Sequence, residues 1–331
     1  MRTVYLIGNG FDINLGLPTK YTDFYRYYLG LDRSNDSKNV SKLKEHLSQC
    51  LSSKEKYWSD LEEAMGRYTT ELNSFEELEE VYDSLNENMQ KYIESVENTI
   101  LPDGIDIDLL KKNLLAPHTF LPTAQQNIIN SIYTHPAYAA HHISIVNFNY
   151  TTTIEKILNF EGKPIVLGNA TYHNGFQALL ENVYHIHGCI DAPILGINDA
   201  SQIFNEKLRT NIDTIEYLVK PKINSNLGHL IDQYSQHTIN NAQLICIYGL
   251  SLGKTDGLWW QLIGERLLKG VTLILFVFDE NNPNIAPRKR GHYNRLWQSR
   301  LCDAAGIQNK HRESIMPQII VAPNTNMFNI R

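Results

Sequence analysis

Val4-Tyr5-Leu6-Ile7-Gly8-Asn9-Gly10-Phe11-Asp12, continued by Gly16-Leu17-Pro18, is the stretch whose reading decides the fold. A short unbroken apolar run opens the chain and reads as a buried strand. A Gly-x-Gly follows at once, where a chain can turn sharply and approach a ligand closely. Asp12 or Asn14 would then cap a helix whose free N–H groups attract a phosphate. The spacing falls short of a dinucleotide fingerprint, because Ile13 stands where a third glycine belongs.

Working outward, strand and helix signals alternate through the C-terminal half. Ile143–Val146 runs into Asn147-Phe148-Asn149-Tyr150-Thr151, and Glu155–Phe160 reads as helix. Pro164–Leu167 and Val183–His187 read as strands, the second ending at Gly188, and Ile223–Ile239 reads as one helix. Leu244–Tyr248 is a strand ending in Gly249-Leu250-Ser251-Leu252-Gly253, Leu258–Leu268 a helix, Val271–Phe278 a strand ending at Asp279, and Ile319–Val321 a last strand. Unalternating apolar strands separated by helices specify a mostly parallel sheet covered on both faces, a Rossmann-like α/β fold. Ligands of such sheets sit beyond the carboxyl ends of the strands. Those ends carry Gly8–Asp12, Asn147–Thr151, His187-Gly188, Gly249–Gly253 and Asp279.

Between the first strand and the rest lies a long helical region. Leu43, Leu47 and Leu51 recur at about one turn, as do Leu61, Met65, Tyr68 and Leu72. Ser74-Phe75-Glu76-Glu77 is a capping-box signature that opens a stripe from Leu78 to Ile100, stopped by Pro102. Asp60 and Glu62 read as surface or packing residues of an amphipathic helix. The expected organisation is therefore a Rossmann-like domain of residues 1–20 and 141–331 with a helical insertion subdomain over 21–140.

The 331 residues carry a formal net charge of -6, which argues against a nucleic-acid surface but not against a local basic patch. The four cysteines form no C-x-x-C pair, and no apolar stretch reaches membrane-spanning length. A cytoplasmic protein with no membrane partner is expected. Gly249-Leu250-Ser251-Leu252-Gly253 also fits the nucleophile elbow of serine hydrolases, with Asp279 and His292 or His311 in the right chain order. Gly253-Lys254-Thr255 imitates a P-loop ending, but Tyr248 occupies the first glycine position. His185 and His187 lie two apart in a strand, with His141, His142 and His173 elsewhere, yet no metal-ligand spacing is completed, and no metal is expected. By residue type alone, His187 is a base or a hydrogen-bonded core histidine. Asn149 orients a substrate or caps a helix. Ser251 binds, attacks or caps.

The motifs taken together resemble the AbiH family of bacterial abortive-infection proteins. The resemblance rests on Gly8-Asn9-Gly10-Phe11-Asp12, Gly16-Leu17-Pro18-Thr19, Tyr21, Phe24, Trp58-Ser59-Asp60-Leu61-Glu62, Phe148-Asn149-Tyr150-Thr151, His185-Ile186-His187-Gly188 and Gly249 to Asp256. More distantly, four of these are similar to sirtuin motifs in the same order: the glycine loop with its following G-x-P, an N-x-D at Asn149, the catalytic His-Gly at His187-Gly188, and an adenosine-side G-T-S-L at Gly249–Leu252. Asp12 stands where sirtuins carry a serine, Thr151 replaces the aspartate of N-x-D, and the four-cysteine zinc module is absent. The resemblance implies a phage-defence effector that binds NAD or a related nucleotide and hydrolyses its nicotinamide–ribose bond. His187 and Asn149 would be catalytic. Gly8, Asn9, Gly10, Phe11, Asp12, Gly249, Ser251 and Asp279 would hold NAD as substrate. A homo-oligomer or a regulatory protein would keep such an effector silent. A serine hydrolase built on Ser251, or a non-catalytic nucleotide-sensing or protein-binding module, is the alternative.

Overall fold

A computed structural model describes the chain apart from residues 54–60, 100–103, 139, 171–175, 190–192 and 229. Seven strands form one sheet: β1 (Arg2–Ile7), β2 (His141–Asn147), β3 (Ile165–Asn169), β4 (Gln177–His185), β5 (Leu244–Tyr248), β6 (Thr272–Val277) and β7 (Ile319–Pro323). Their order is β3-β4-β2-β1-β5-β6-β7. Without β3, the order is that of a doubly wound dinucleotide-binding sheet, in which the strand sequence reverses direction beside β1. Every pairing is parallel except β3 with β4. That exception has a simple cause: residues 170–176 are too few for a crossover, so β4 folds straight back on β3.

The central strand shows why both faces must be covered. Val4 and Leu6 point into one apolar cluster, with Ile245, Leu273, Val321 and Trp260. Tyr5 and Ile7 point into the other, with Ile145, Leu180 and Ile274. Helices α1 (Gly10–Asn14), α2 (Tyr21–Leu29), α3 (Lys38–Ser53), α4 (Leu61–Tyr68), α5 (Phe75–Glu97), α6 (Ile107–Leu115) and α7 (Thr123–Tyr133) lie between β1 and β2. Their buried residues, Leu43, Leu78, Leu85 and Leu114 among them, belong to the same cluster as Tyr5 and Ile145. The inserted helices thus share one continuous core with that face of the sheet.

After β2 come α8 (Thr153–Leu158), α9 (Glu206–Arg209), α10 (Ile212–Leu218), α11 (Lys220–Asn226), α12 (Ile231–Asn240), α13 (Gly257–Leu268), α14 (Pro287–Ala304) and α15 (Asn309–Ile315). The span expected as a single helix over 223–239 is two, α11 and α12, with Gly228 at φ 64° between them. Ser74 does cap α5, accepting from the Glu77 amide, while the Glu77 carboxylate reaches back to the Asn73 amide at 2.8 Å. Trp58, Ser59, Asp60, Ile100, Pro102 and His173 lie outside the described residues.

The turn after β1 departs from expectation. The first helix begins already at Gly10, so neither Asp12 nor Asn14 caps it; Asn14 instead donates to the Phe328 carbonyl at 2.7 Å. The Gly8 amide donates to Tyr248 O and the Gly10 amide to Gly249 O, each at 2.9 Å. A Cβ on Gly10 would stand 2.5 Å from the Gly249 Cα, and Gly249 itself has φ +68°. The two glycines therefore exist so that the β1 and β5 turns can touch backbone to backbone. The Gly8 and Gly10 amides, expected among the groups that hold the nucleotide, are engaged by this contact and are not free to donate to a phosphate.

Gly10→Ala should lower stability by about 1–3 kcal/mol, as overpacking does. Urea unfolding is the measurement.

Candidate functional site

The register of β2 and β4 places the polar residues. Asn147 pairs with His185 at the end of the sheet. Asn149 and His187 each follow two residues later, so neighbouring parallel strands deliver them side by side. His185 holds the turn: its Nδ1 lies 3.0 Å from the Asn149 carbonyl, and its Nε2 bonds Glu155 Oε1. Burial disfavours its charge, but the Glu155 carboxylate outweighs that and raises His185 above the ordinary histidine range. His187 turns to different partners.

Those partners form a buried charge cluster. His187 Nε2 lies 3.0 Å from Asp256 Oδ1 and 3.1 Å from Lys220 Nζ. Lys220 Nζ donates to Glu62 Oε2 at 2.7 Å and stands 3.6 Å from Asp256 Oδ1. The Tyr150 hydroxyl donates to Glu62 Oε1 at 3.2 Å. All four ionisable members are less than 9% exposed, Glu62 only 2%. Burial would push Asp256 up; the Lys220 ammonium and His187 overcome it and hold its carboxyl below the usual range. Burial, with the Glu62 carboxylate beside it, keeps the Tyr150 phenol well above its ordinary value. Tyr150 therefore acts as a fixed donor. Nε2 of His187 thus meets both Asp256 Oδ1 and Lys220 Nζ, while its Nδ1 has no hydrogen-bond partner among the described residues.

Two cavities adjoin this cluster. A small one of about 90 Å³ is lined by Asn9, Asp12, Asn149, Tyr150 and Thr151 from the sheet end and by Tyr21, Phe24, Met89 and Tyr92 from α2 and α5. Lys20 stands exposed at its edge. A larger one of about 1050 Å³ is lined by Ser251, Lys254, Gly257 and Pro221. Lys220 and Asp256 are the chain neighbours of Pro221 and Gly257, while Tyr150 reaches from the small cavity to Glu62. None of the four charged side chains, His187 included, is itself among the lining residues of either cavity.

Asp12 is the unusual wall of the small cavity. It is 1% exposed; Thr151 Oγ1 donates to its Oδ2 at 2.5 Å, while Oδ1 has no partner among the described residues. Burial, against the hydroxyls of Thr151 and Thr153, raises its pKa to about 6. Asn149 is 5% exposed, and its Oδ1 is likewise unpartnered. It does not cap α8, whose N-cap is Thr152.

The remaining candidates disperse. Asn9 donates to the Thr19 carbonyl at 2.6 Å and holds the edge of the small cavity. Phe11 is fully buried and meets the Phe328 ring edge-on at 5.4 Å, so it is core and faces no ligand. Ser251 lines the larger cavity, away from Asp12. Asp279 lines a third cavity, its Oδ2 taken by the Asn282 amide and the Tyr293 hydroxyl at 3.0 Å each. No hydrogen bond joins Ser251 to Asp279, His292 or His311 among the described residues. Ser251 is not in a strained left-handed turn, which falls instead on Gly249, and Asp279 and His292 line a different cavity. Glu62, read as a surface or packing residue, is buried in the charged cluster. Lys220 and Asp256 went unnamed as site residues. Asp256 closes the motif that begins at Gly249, but nothing in the sequence marks Lys220. Among the described residues no group of three or more His, Cys, Asp or Glu side chains could hold a metal ion. No helix there is long and apolar enough to cross a membrane.

The strand order defines a Rossmann-like α/β protein, with the buried histidine and the small polar cavity on the β1–β2 side of the sheet. Residues 4–277 match the family described as Bacteriophage abortive infection AbiH. The chain belongs to the AbiH family, and its role lies in abortive infection. No curated protein matches it.

Two outcomes test this geometry. A carboxyl raised in the fold supports stability below its unfolded value, 3.8, and that support is lost as pH rises through about 6. Wild type should therefore lose about 2 kcal/mol relative to Asp12→Asn between pH 4 and 7, read from urea midpoints. Lys220→Met, which strands Glu62, should cost about 3–5 kcal/mol, and adding Glu62→Gln should restore most of it.

Proposed function

We propose that this AbiH protein binds NAD or a related nucleotide and hydrolyses its nicotinamide–ribose bond. The observation that carries the proposal is the pair of buried acceptor oxygens, Asp12 Oδ1 and Asn149 Oδ1, left without donors on one cavity wall. Buried acceptors are costly unless a donor meets them, and a ribose diol offers two hydroxyl donors. At neutral pH Asp12 is mostly ionised, which strengthens a hydrogen bond from a ribose hydroxyl.

The chemistry follows from that placement. Cleavage builds positive charge on the ribose ring, and a carboxylate held against the ring stabilises it. Nicotinamide leaves with the bonding electron pair. A water adds to the ribose carbon and gives its proton to Nδ1 of His187, while Asp256 holds the imidazole's other nitrogen and steadies the imidazolium formed. Lys20, exposed at the cavity edge with no ion pair among the described residues, is the cation available to a phosphate, since the glycine amides are taken. Gly249, Ser251 and Asp279 remain for the more distant parts of the ligand.

Incubation of the purified protein with NAD, with nicotinamide and ADP-ribose quantified by chromatography, is the test. His187→Ala should lower turnover by about 10²–10⁴-fold. Lys20→Ala should raise KM and leave kcat nearly unchanged. Absence of turnover in both resting and phage-exposed preparations would overturn the proposal.

A further inference from the structure

Helix α5 ends in an acid that its own helix does not explain. Glu97 is the last residue of α5, where a negative charge works against the helix dipole, and its side chain is only 6% exposed. Its partners come from the start of α8. Glu97 Oε1 accepts from the Thr152 amide, and the Thr152 hydroxyl lies 3.0 and 3.1 Å from the two carboxylate oxygens. The Lys156 ammonium donates to Oε2 at 2.8 Å and to the Glu97 carbonyl at 3.2 Å. Earlier on the same helix, the Tyr92 hydroxyl donates to the Pro18 carbonyl at 2.5 Å. The end of α5 is thus tied both to the segment after β1 and to the segment after β2.

The second tie matters because of what precedes Thr152. Asn149, Tyr150 and Thr151 wall the small cavity together with Tyr92 and Val96 of α5. The sheet pins this loop at two points: His185 Nδ1 lies 3.0 Å from the Asn149 carbonyl, and Thr151 Oγ1 donates to Asp12 Oδ2. Glu97 holds its far end. We infer that Glu97 is a positioning residue: from the end of the inserted helix it sets the 149–152 loop, and so fixes where Asn149 and Thr151 stand in the cavity. Presentation of those residues to a ligand rests on the proposed nucleotide site; the hold on the loop does not. The same loop aligns both unpartnered acceptor oxygens, since Asn149 carries one and Thr151 steadies the Asp12 carboxylate that carries the other. Bonds to an ionised carboxylate are shorter and stronger than neutral ones, which suits a residue that must fix a loop. The Lys156 side chain is 42% exposed, and water screens its pairing with Glu97, so the Thr152 bonds carry the hold.

Hydrogen exchange at the Asn149 amide, which donates to Asn147 Oδ1 at 3.0 Å, reads the order of the loop without any ligand. In the full chain, Glu97→Ala should speed that exchange about tenfold, and Lys156→Met should leave it nearly unchanged. With NAD, Glu97→Ala should lower kcat/KM about tenfold, and Glu97→Gln, which keeps an acceptor for Thr152, should restore most of it. Thr152→Val removes only the hydroxyl and should change both readings about threefold, which keeps the test open if Glu97→Ala does not fold. Asn149 exchange unchanged in Glu97→Ala and Thr152→Val, an equal effect of Lys156→Met, or kcat/KM unchanged beside faster exchange would overturn the inference. Faster exchange in a protein whose wild type turns over no NAD would uphold the hold on the loop and count against the nucleotide reading alone.

Discussion

The contact between the turn after β1 and the turn after β5 governs what this fold can do. In a doubly wound sheet the crevice opens where the strand order reverses, beside β1. Here the Gly8 and Gly10 amides bond the Tyr248 and Gly249 carbonyls across that crevice, and no side chain fits between them. The entrance a dinucleotide ordinarily uses is closed by backbone. The small cavity opens instead on the β2 side, where Asp12, Asn149 and Tyr150 meet the inserted helices α2 and α5. The insertion is then no ornament on the domain, since it supplies the far wall of the cavity.

The second constraint is electrostatic. Glu62, Lys220, His187 and Asp256 come from four separated parts of the chain and are buried together. Taking such charges out of water is costly, and only mutual pairing makes it tolerable. A hydrophobic cluster of the same volume would hold these elements together as well. Retention of the charges is consistent with a use for the histidine they orient.

Much of this was legible in the sequence, for physical reasons that differ by element. Val4–Ile7, Leu244–Tyr248 and Thr272–Val277 are unbroken apolar runs, and burial on both faces leaves no other pattern for such strands. The single helix expected over 223–239 failed because Gly228 interrupts a periodicity that continues beyond it. Asn149 and His187 were legible as strand-end residues because each follows the apolar run of its strand. Lys220 was invisible, since a lysine inside a helix reads as solvated unless its buried acid is known. The Gly-x-Gly turn was misjudged in purpose: glycine permits close approach, but the sequence does not say whether a ligand or another turn approaches.

The central position of β1 has a consequence for biogenesis. Thr3 pairs with Ile143 on one side and with Leu244 on the other. At ribosomal rates of ~5–20 residues per second, the first strand made waits on the order of ten to fifty seconds for its second neighbour. Until then Val4–Ile7 is an apolar ribbon with an open edge, the kind of segment that invites chaperones or aggregation. Asp256 emerges later still. A nascent or prematurely terminated chain therefore lacks both the second neighbour of β1 and the carboxylate bonded to His187, so the charged cluster arises only once translation has passed the β5 turn.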